Sequence, residues 1–283
     1  MRRVLLSAVA VAAALLGTPV FAADMAMKAA PLAAPAYTDW SGFYVGGNVG
    51  AVGEHASGTS NFVDTAFAPA SPFFANPQSN SLSPWGVIGG VQVGYNWQIS
   101  PRFVLGVEGD FDWTSSSYSF CRQTDIRFTG CLDAPPNIDG VASVSGGTDW
   151  IATARGRAGV TFNQFLLYAT GGAAWGAVKS TESLTCLTDG CGATSTLRLA
   201  ASSSNTQIKS GWTAGVGLEG MIWRNWSVKG EWLYVDLGNA TDTLVTTGNR
   251  GGTESVVWSR SEHYNIFRVG LNYHFGGPAA AHY

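Results

Sequence analysis

The chain has 283 residues, enough for one large domain, of which only 12% are charged, and its formal net charge is −3. Soluble globular proteins have about 25% charged residues, so most of this protein's surface is not expected to face water. The net charge is small and dispersed, which argues against a basic nucleic-acid-binding surface.

The N-terminal segment has the features of a secretory signal. Arg2 and Arg3 precede an apolar run over residues 4–16, and Val20-Phe21-Ala22 follows as a cleavage pattern. We therefore predict a signal peptide over residues 1–22 and an Ala- and Pro-rich periplasmic leader over residues 23–39. The apolar run is too short to cross a bilayer as a helix, and no later run exceeds it, so the sequence predicts no helical membrane span.

From Trp40 onward, the chain alternates apolar with polar or glycine residues. In the first stretch Phe43 and Val45 share one face, while Tyr44 and Asn48 share the other, which is the period of a β-strand. Seven similar stretches follow, beginning near Val87, Phe103, Trp150, Phe165, Trp212, Trp226 and His263.

The connections between these stretches alternate in length. Tight turns are predicted at 100–102, 163–164 and 223–225, and long connections at 54–84, 115–147, 179–208 and 239–261. This pattern predicts an all-β fold, an eight-stranded antiparallel up-and-down transmembrane β-barrel over residues 40–275 with four long extracellular loops. Residues 276–283 form a predicted C-terminal tail, and both termini are expected on the short-turn side.

Aromatic residues recur at the ends of the predicted strands. Ten of the eleven tryptophans occupy such positions, as expected of girdles at two membrane interfaces. A soluble β-sandwich also alternates, but it does not flank its apolar faces with aromatic rings at both ends. The predicted girdle residues are Trp85, Trp97, Trp113, Trp150, Trp175, Trp212, Trp226, Trp232 and Phe275.

Charged residues fall on the predicted inner face. Eight strands enclose only enough space for side chains, and isolated charges there are costly, so the sequence predicts a polar plug of paired charges. The alternative is a narrow ion path, because charges inside membrane proteins often mark conduction routes. The predicted lumen charge network comprises Glu108, Asp110, Asp112, Arg155, Arg157, Glu219, Lys229, Glu231 and Arg268.

Two other groupings invite a chemical interpretation. Ser261, Glu262 and His263 could serve an outer-rim hydrolase, but adjacency in sequence is poor evidence for a triad, and a polar rim is the favoured interpretation. His55 and His263 could suggest metal or haem capture, yet the sequence supplies neither ligand spacing nor a carboxylate partner. We therefore predict no catalytic residue, metal or cofactor.

The four cysteines form two local pairs. Cys121 with Cys131 and Cys186 with Cys191 would meet an oxidising compartment after export, so two loop disulfides are predicted. The alternative zinc site lacks C-x-x-C spacing and nearby histidines.

Four segments carry a family resemblance: Trp40–Gly50, Asp149–Gly159, Glu231–Gly238 and Arg268–Phe275. They resemble the small outer-membrane β-barrel family of alphaproteobacterial surface proteins, related to the OmpA-like transmembrane domain. The resemblance implies an eight-stranded barrel inserted by the outer-membrane assembly machinery, with Phe275 similar to the family's terminal aromatic. The tail after Phe275 and the cysteine pairs depart from the family pattern.

These observations together predict a non-enzymatic protein of the Gram-negative outer membrane with periplasmic termini, which supports envelope integrity and displays surface loops. The expected partners are outer-membrane lipid, lipopolysaccharide and the assembly machinery, with no nucleic acid. A narrow, low-conductance porin for ions or small solutes is the second hypothesis, and a lipid-modifying hydrolase is the third.

Overall fold

The computed structural model describes residues 38–64, 78–123, 140–186, 199–247 and 253–275. The predicted signal peptide, nearly all of the leader and the C-terminal tail lie outside these ranges. Within the described ranges, no helix is both long enough and apolar enough to cross a membrane.

The described chain is built from antiparallel strands that close into a ring. Successive strands pair along the sheet, and the first strand also pairs with the last. The strands are β1 (Gly42–Asp64), β2 (Gln78–Leu82), β3 (Trp85–Ser100), β4 (Phe103–Gln123), β5 (Gly140–Phe162), β6 (Phe165–Cys186), β7 (Leu199–Trp223), β8 (Trp226–Thr247) and β9 (Thr253–His274).

The short strand β2 continues the path of β3. Both pair with β1 in one register, since Ala56 lies opposite Leu82 and Gly53 lies opposite Trp85. Pro84 lies between the two strands, and its missing N–H accounts for the interruption of the ladder. The ring therefore has eight strand positions, which confirms the predicted eight-stranded antiparallel barrel.

The strands are longer than the sequence predicts. β4 runs to Gln123 and β5 begins at Gly140, so much of the connection predicted over 115–147 is sheet. Ser117 and Ser119 on this part of β4 are exposed, so the wall there has a polar exterior. The prediction relied on an apolar outer face, and it stopped where that face ends.

Bulges lie on three strands where the apolar exterior ends. β5 carries an extra residue between Thr148 and Trp150 against β6, and β4 carries an extra residue between Trp113 and Ser116 against β5. β8 has a register shift between Asp236 and Asn239, and Gly238 within it adopts a φ of 76°. A bulge changes which residues point inward. On β5, Ile151 is buried below the bulge and Thr148 above it.

The three predicted tight turns are confirmed. Two-residue connections join β3 to β4, β5 to β6 and β7 to β8. Asn163 has a φ of 54° and Arg224 a φ of 31°, the left-handed region that short hairpins require.

The exterior is apolar between two levels of aromatic residues. Trp97, Trp226 and Phe275 are exposed near the tight turns, and we call this level the inner belt. The outer belt lies at the opposite level and includes half-buried Trp150. Its exposed tryptophans are Trp85, Trp113, Trp175 and Trp212. Tilted strands of this length between belts span about 25–30 Å, the thickness of a bilayer's hydrocarbon core.

Trp232 is the exception among the predicted girdle residues. It is exposed on the same outer face, but its register partners are Val216 and Phe267, whereas the outer-belt Trp212 pairs with Asp236 further along β8. Trp232 therefore lies between the belts. The prediction placed it in a girdle because strand alternation identifies the face of a residue but not its depth.

Candidate functional site

The nine predicted lumen charges all lie inside the barrel, and none is more than 7% exposed. Alternation along each strand brings them there, because the intervening residues face outward. We call this set the charge network: Glu108, Asp110 and Asp112 on β4, Arg155 and Arg157 on β5, Glu219 on β7, Lys229 and Glu231 on β8, and Arg268 on β9.

Arg155 is one centre of the charge network. Its guanidinium contacts Glu108, lies 2.8 Å from Asp110 Oδ2 and 3.0 Å from Glu231 Oε1. Lys229 Nζ adds a second cation to Glu108, at 2.8 Å from both carboxylate oxygens. Each of these buried carboxylates therefore has a charged hydrogen-bond donor, which offsets part of its desolvation cost.

Arg268 is the second centre. Its Nη1 lies 2.6 Å from Asp112 Oδ2, and its Nη2 lies 3.0 Å from Asp110 Oδ2 and 2.7 Å from Glu231 Oε2. Asp110 and Glu231 thus join Arg268 to Arg155, so the ion pairs form one connected set.

Arg157 lies between two aromatic rings. Its guanidinium carbon is 4.7 Å from the ring centroid of Tyr44 and 5.1 Å from that of Tyr168, which is cation–π geometry. Its Nη1 lies 3.1 Å from Glu219 Oε2. The rings supply the apolar contact surface that a buried guanidinium lacks when only its edge is paired.

Neutral side chains complete the charge network, and sequence reasoning gave them no part in it. Tyr44 Oη donates to Glu108 Oε2 at 2.7 Å. Glu219 Oε1 accepts hydrogen bonds from Ser227 Oγ at 2.5 Å and from Asn272 Nδ2 at 2.7 Å. Their inward position on the strands was the available signal, but alternation does not reveal which residues meet across the lumen.

Gly217 provides the space for Tyr168. A Cβ at Gly217 would lie 2.4 Å from Tyr168 ring atoms, whereas a Cβ at the outward-facing Gly230 would have no atom within 4 Å. We expect Gly217→Ala to displace the ring and lose the hydrogen bond from Tyr168 Oη to Glu231, 3.0 Å long, costing about 1–3 kcal/mol.

Gly230→Ala is the matched control and is expected to change stability by about 0.5 kcal/mol or less. Urea unfolding of both variants in lipid vesicles gives the comparison. Equal stabilities for the two variants would contradict the packing argument.

An apolar layer fills the barrel beyond the charge network, toward the outer belt. The sequence predicted a polar interior, and this layer corrects that prediction. Inward positions near the bulges carry aliphatic side chains. We call this layer the septum: Val52, Ile88, Ile151, Ala174, Val178, Leu233, Val235, Leu237, Tyr264 and Ile266.

A second polar cluster lies beyond the septum. Ser116 Oγ donates to Glu54 Oε2 at 2.5 Å. Tyr264 Oη lies 2.8 Å from Glu262 Oε2 and 2.7 Å from Thr148 Oγ1. Glu54 and Glu262 are buried, and the sequence missed them because they lie at the edges of predicted loops.

The opposite end of the lumen is closed by aromatic and aliphatic side chains. Trp40, Val104, Leu166 and Tyr168 form a buried cluster against which Met221 packs. We call this cluster the inner cap, since it lies near the tight turns. Along the barrel axis, the inner cap, the charge network and the septum follow one another.

The three rim residues with hydrolase chemistry do not converge. Glu262 is buried inside the barrel, where its Oε2 accepts from Tyr264. His263 is the next residue on β9 and lies 3.5 Å from Asp236 Oδ1, while Ser261 Oγ is 2.8 Å from Ser57 Oγ. Neighbouring strand residues point to opposite faces, so Glu262 does not face His263.

The predicted disulfides stay predictions. Cys121 lies near the end of β4, and Cys186 is the last residue of β6. Cys131 and Cys191 lie outside the described residues. Among the residues that the structure describes, no three His, Cys, Asp or Glu side chains are grouped closely enough to hold a metal ion.

Comparison with known proteins agrees with this architecture. A family model described as an outer membrane protein beta-barrel domain matches residues 12–275. The 31 kDa outer-membrane immunogenic protein of Brucella melitensis biotype 1 is 35% identical, over 97% of this chain and 100% of the relative. The 22 kDa outer membrane protein of Rhizobium leguminosarum bv. viciae is 27% identical, over 83% of this chain and 78% of the relative.

Among solved structures, the outer membrane protein OprG from Pseudomonas aeruginosa is similar with a TM-score of 0.41 and 11% identity, covering 84% of this chain and 98% of OprG. The family match extends over nearly the whole chain, and a relative shares more than a third of its residues. The chain therefore belongs to the outer-membrane β-barrel protein family of Gram-negative bacteria.

Proposed function

We propose that this protein is a structural, non-enzymatic barrel of the outer membrane, which supports envelope integrity and carries surface loops. The observation that supports the proposal most strongly is the filled interior. The inner cap, the charge network and the septum occupy the lumen in series, and their side chains are buried.

The pairing of charges argues against a conducting interior. Arg155, Arg268 and Lys229 are each within 3.0 Å of a carboxylate oxygen, so their charges are directed at protein partners. The septum adds a barrier of a different kind, because an ion that enters an apolar layer loses its hydration without compensation.

The long wall supports the display of loops. Four strand pairs extend past the outer belt, as β4 does from Trp113 to Gln123, and carry the long connections away from the bilayer. In this orientation the tight turns and both termini face the periplasm. Lipid and lipopolysaccharide would then contact the apolar exterior, and the assembly machinery would insert the barrel.

We expect the purified protein to show no stable stepwise conductance in planar bilayers. Insertion is verified in the same preparation by flotation of proteoliposomes and by a shift in gel mobility on boiling. Proteoliposomes are also expected to exclude small sugars in a swelling assay. Reproducible channels from the wild-type protein would overturn the sealed-barrel proposal and favour the narrow pore.

Envelope support is tested separately in cells. Deletion of the gene is expected to raise sensitivity to detergents and bile salts, and expression of the wild-type chain to restore resistance. A deletion strain with unchanged sensitivity would contradict envelope support. Lipid A mass spectra from the same strain test the hydrolase hypothesis, since a lost modification would favour an enzyme.

A further inference from the structure

Two histidines lie opposite each other on the outer surface of the barrel. His55 on β1 and His263 on β9 are register partners. Both face outward, because the residues beside them, Glu54 and Glu262, are buried in the lumen. Side chains directly opposite on antiparallel strands have Cβ atoms about 4.5–5.5 Å apart. The fold thus joins histidines that are far apart in sequence.

Each imidazole has one nitrogen engaged by an oxygen. His55 Nδ1 lies 2.9 Å from Ser83 Oγ, and His263 Nδ1 lies 3.5 Å from Asp236 Oδ1. The second contact is electrostatic only, since His263 Nδ1 has no hydrogen-bond partner among the described residues. Tyr234 stacks on the His263 ring with centroids 5.9 Å apart. These contacts use Nδ1 and leave Nε2 of each ring available.

This arrangement matches the way proteins prepare histidine ligands. A ligating imidazole commonly has its second nitrogen oriented by a carboxylate, hydroxyl or carbonyl oxygen, and that contact fixes the ring. Two nitrogen ligands of one tetrahedral ion lie about 3.3 Å apart when each metal–nitrogen distance is about 2.05 Å. Opposed histidines on adjacent strands can reach this separation by side-chain rotation alone.

We propose that His55 and His263 bind one divalent first-row transition-metal ion, such as Zn²⁺, Cu²⁺ or Ni²⁺, on the exterior of the barrel. Each contributes Nε2, Ser83 and Asp236 orient the rings, and water completes the coordination. The absence of a third protein ligand in the described residues favours exchangeable binding over a permanent structural site.

The position of the pair suits an ion that arrives from outside. On the bilayer side of the histidines, two outward-facing pairs further along the strands, Ala51 lies opposite exposed Phe267. On the opposite side, the adjacent outward-facing pair is Ser57 with Ser261. The histidines therefore lie at the boundary between the apolar exterior and the polar upper wall, where an aqueous cation has access.

Calorimetric titration of the full chain in detergent, purified without a polyhistidine tag, tests the site with Zn²⁺ and Ni²⁺ alone. We expect about one ion per chain, and a loss of affinity of at least about tenfold in His55→Ala and in His263→Ala. Asp236→Asn should weaken binding by about 10-fold or more, because it removes the orienting charge. His282→Ala, in the C-terminal tail, is the control and should bind as the wild type does.

Electron paramagnetic resonance of the Cu²⁺-loaded protein identifies the ligands directly, and its wild-type spectrum requires no variant. Coupling to two imidazole nitrogens, reduced to one in either histidine variant, supports the site. Unchanged affinity in the double variant His55→Ala/His263→Ala, or loss of binding in His282→Ala, would overturn it. A wild-type protein that binds neither ion would do so as well.

Discussion

Replacing Arg155 by alanine is expected to lower the free energy of unfolding of the barrel by about 3–5 kcal/mol. The variant removes a guanidinium that contacts Glu108, Asp110 and Glu231, all buried. The three carboxylates would then have only the remaining cations as charged partners. The cost of unpaired buried charge therefore dominates over the lost packing.

The measurement is urea unfolding in lipid vesicles, together with the temperature at which gel mobility changes on heating. Arg102→Ala is the matched control, because Arg102 is exposed in the turn between β3 and β4 and is expected to change stability by about 0.5 kcal/mol or less. Arg155→Lys should fall between them, since an ammonium keeps the charge but loses the fork that contacts several carboxylates. Indistinguishable stabilities for Arg155→Ala and Arg102→Ala would contradict the prediction.

The same variant separates stability from conduction. The septum, including Ile88, Ile151 and Leu233, contains no residue of the charge network, so under the sealed-barrel proposal it still blocks the lumen in this variant. We therefore expect Arg155→Ala to remain silent in planar bilayers while it loses stability. Stable channels from this variant alone would show that the charge network, and not the septum, is the main barrier.

Alternation in the sequence was sufficient to predict the strands and the orientation of most residues. Val91 and Tyr44 illustrate this result: the first was assigned to the exterior and is exposed, and the second was assigned to the interior and is fully buried. The pattern is readable because outward side chains must be compatible with hydrocarbon and inward side chains with a polar lumen. The two faces therefore differ in composition at nearly every pair of residues along a strand.

Two parts of the structure could not be predicted in this way. Above the outer belt the exposed face of the wall carries polar residues such as Ser117 and Ser203, so strands there resemble loops. Pairing across the lumen was also out of reach, because Arg268 meets Asp110 across a separation of 158 residues. Such contacts depend on strand register and barrel closure, which a single sequence does not encode as a local pattern.

Part of the septum was missed for its composition and not for its position. Ile151 shares the inward parity of Arg155 and Arg157, yet no role in the lumen was predicted for it. The bulge between Thr148 and Trp150 reverses that parity only beyond Ile151, where Thr148 is buried. A layer of aliphatic side chains inside a membrane barrel also lacks the polarity contrast that makes inward residues recognisable.

The position of the bilayer can be tested with two valines that are equally exposed. Val91 is 56% exposed and lies midway between Trp85 and Trp97, whereas Val245 is 58% exposed on the part of β8 beyond the outer belt. We expect Val91→Arg to cost about 2–4 kcal/mol, because an outward arginine at the midplane must enter hydrocarbon or deform the bilayer. Val245→Arg should cost about 1 kcal/mol or less, because its guanidinium stays in water.

Unfolding in vesicles and the yield of heat-modifiable barrel in isolated outer membranes measure both effects. The pair controls for side-chain size, charge and strand propensity, so a difference between the variants reports the surrounding medium. Equal losses at the two positions would show that the apolar exterior does not face lipid, and the height assigned to the belts would be wrong. A loss confined to Val91→Arg places hydrocarbon around the middle of β3 and water around the upper wall of β8, which is the arrangement that a sealed barrel with a tall, loop-bearing wall requires.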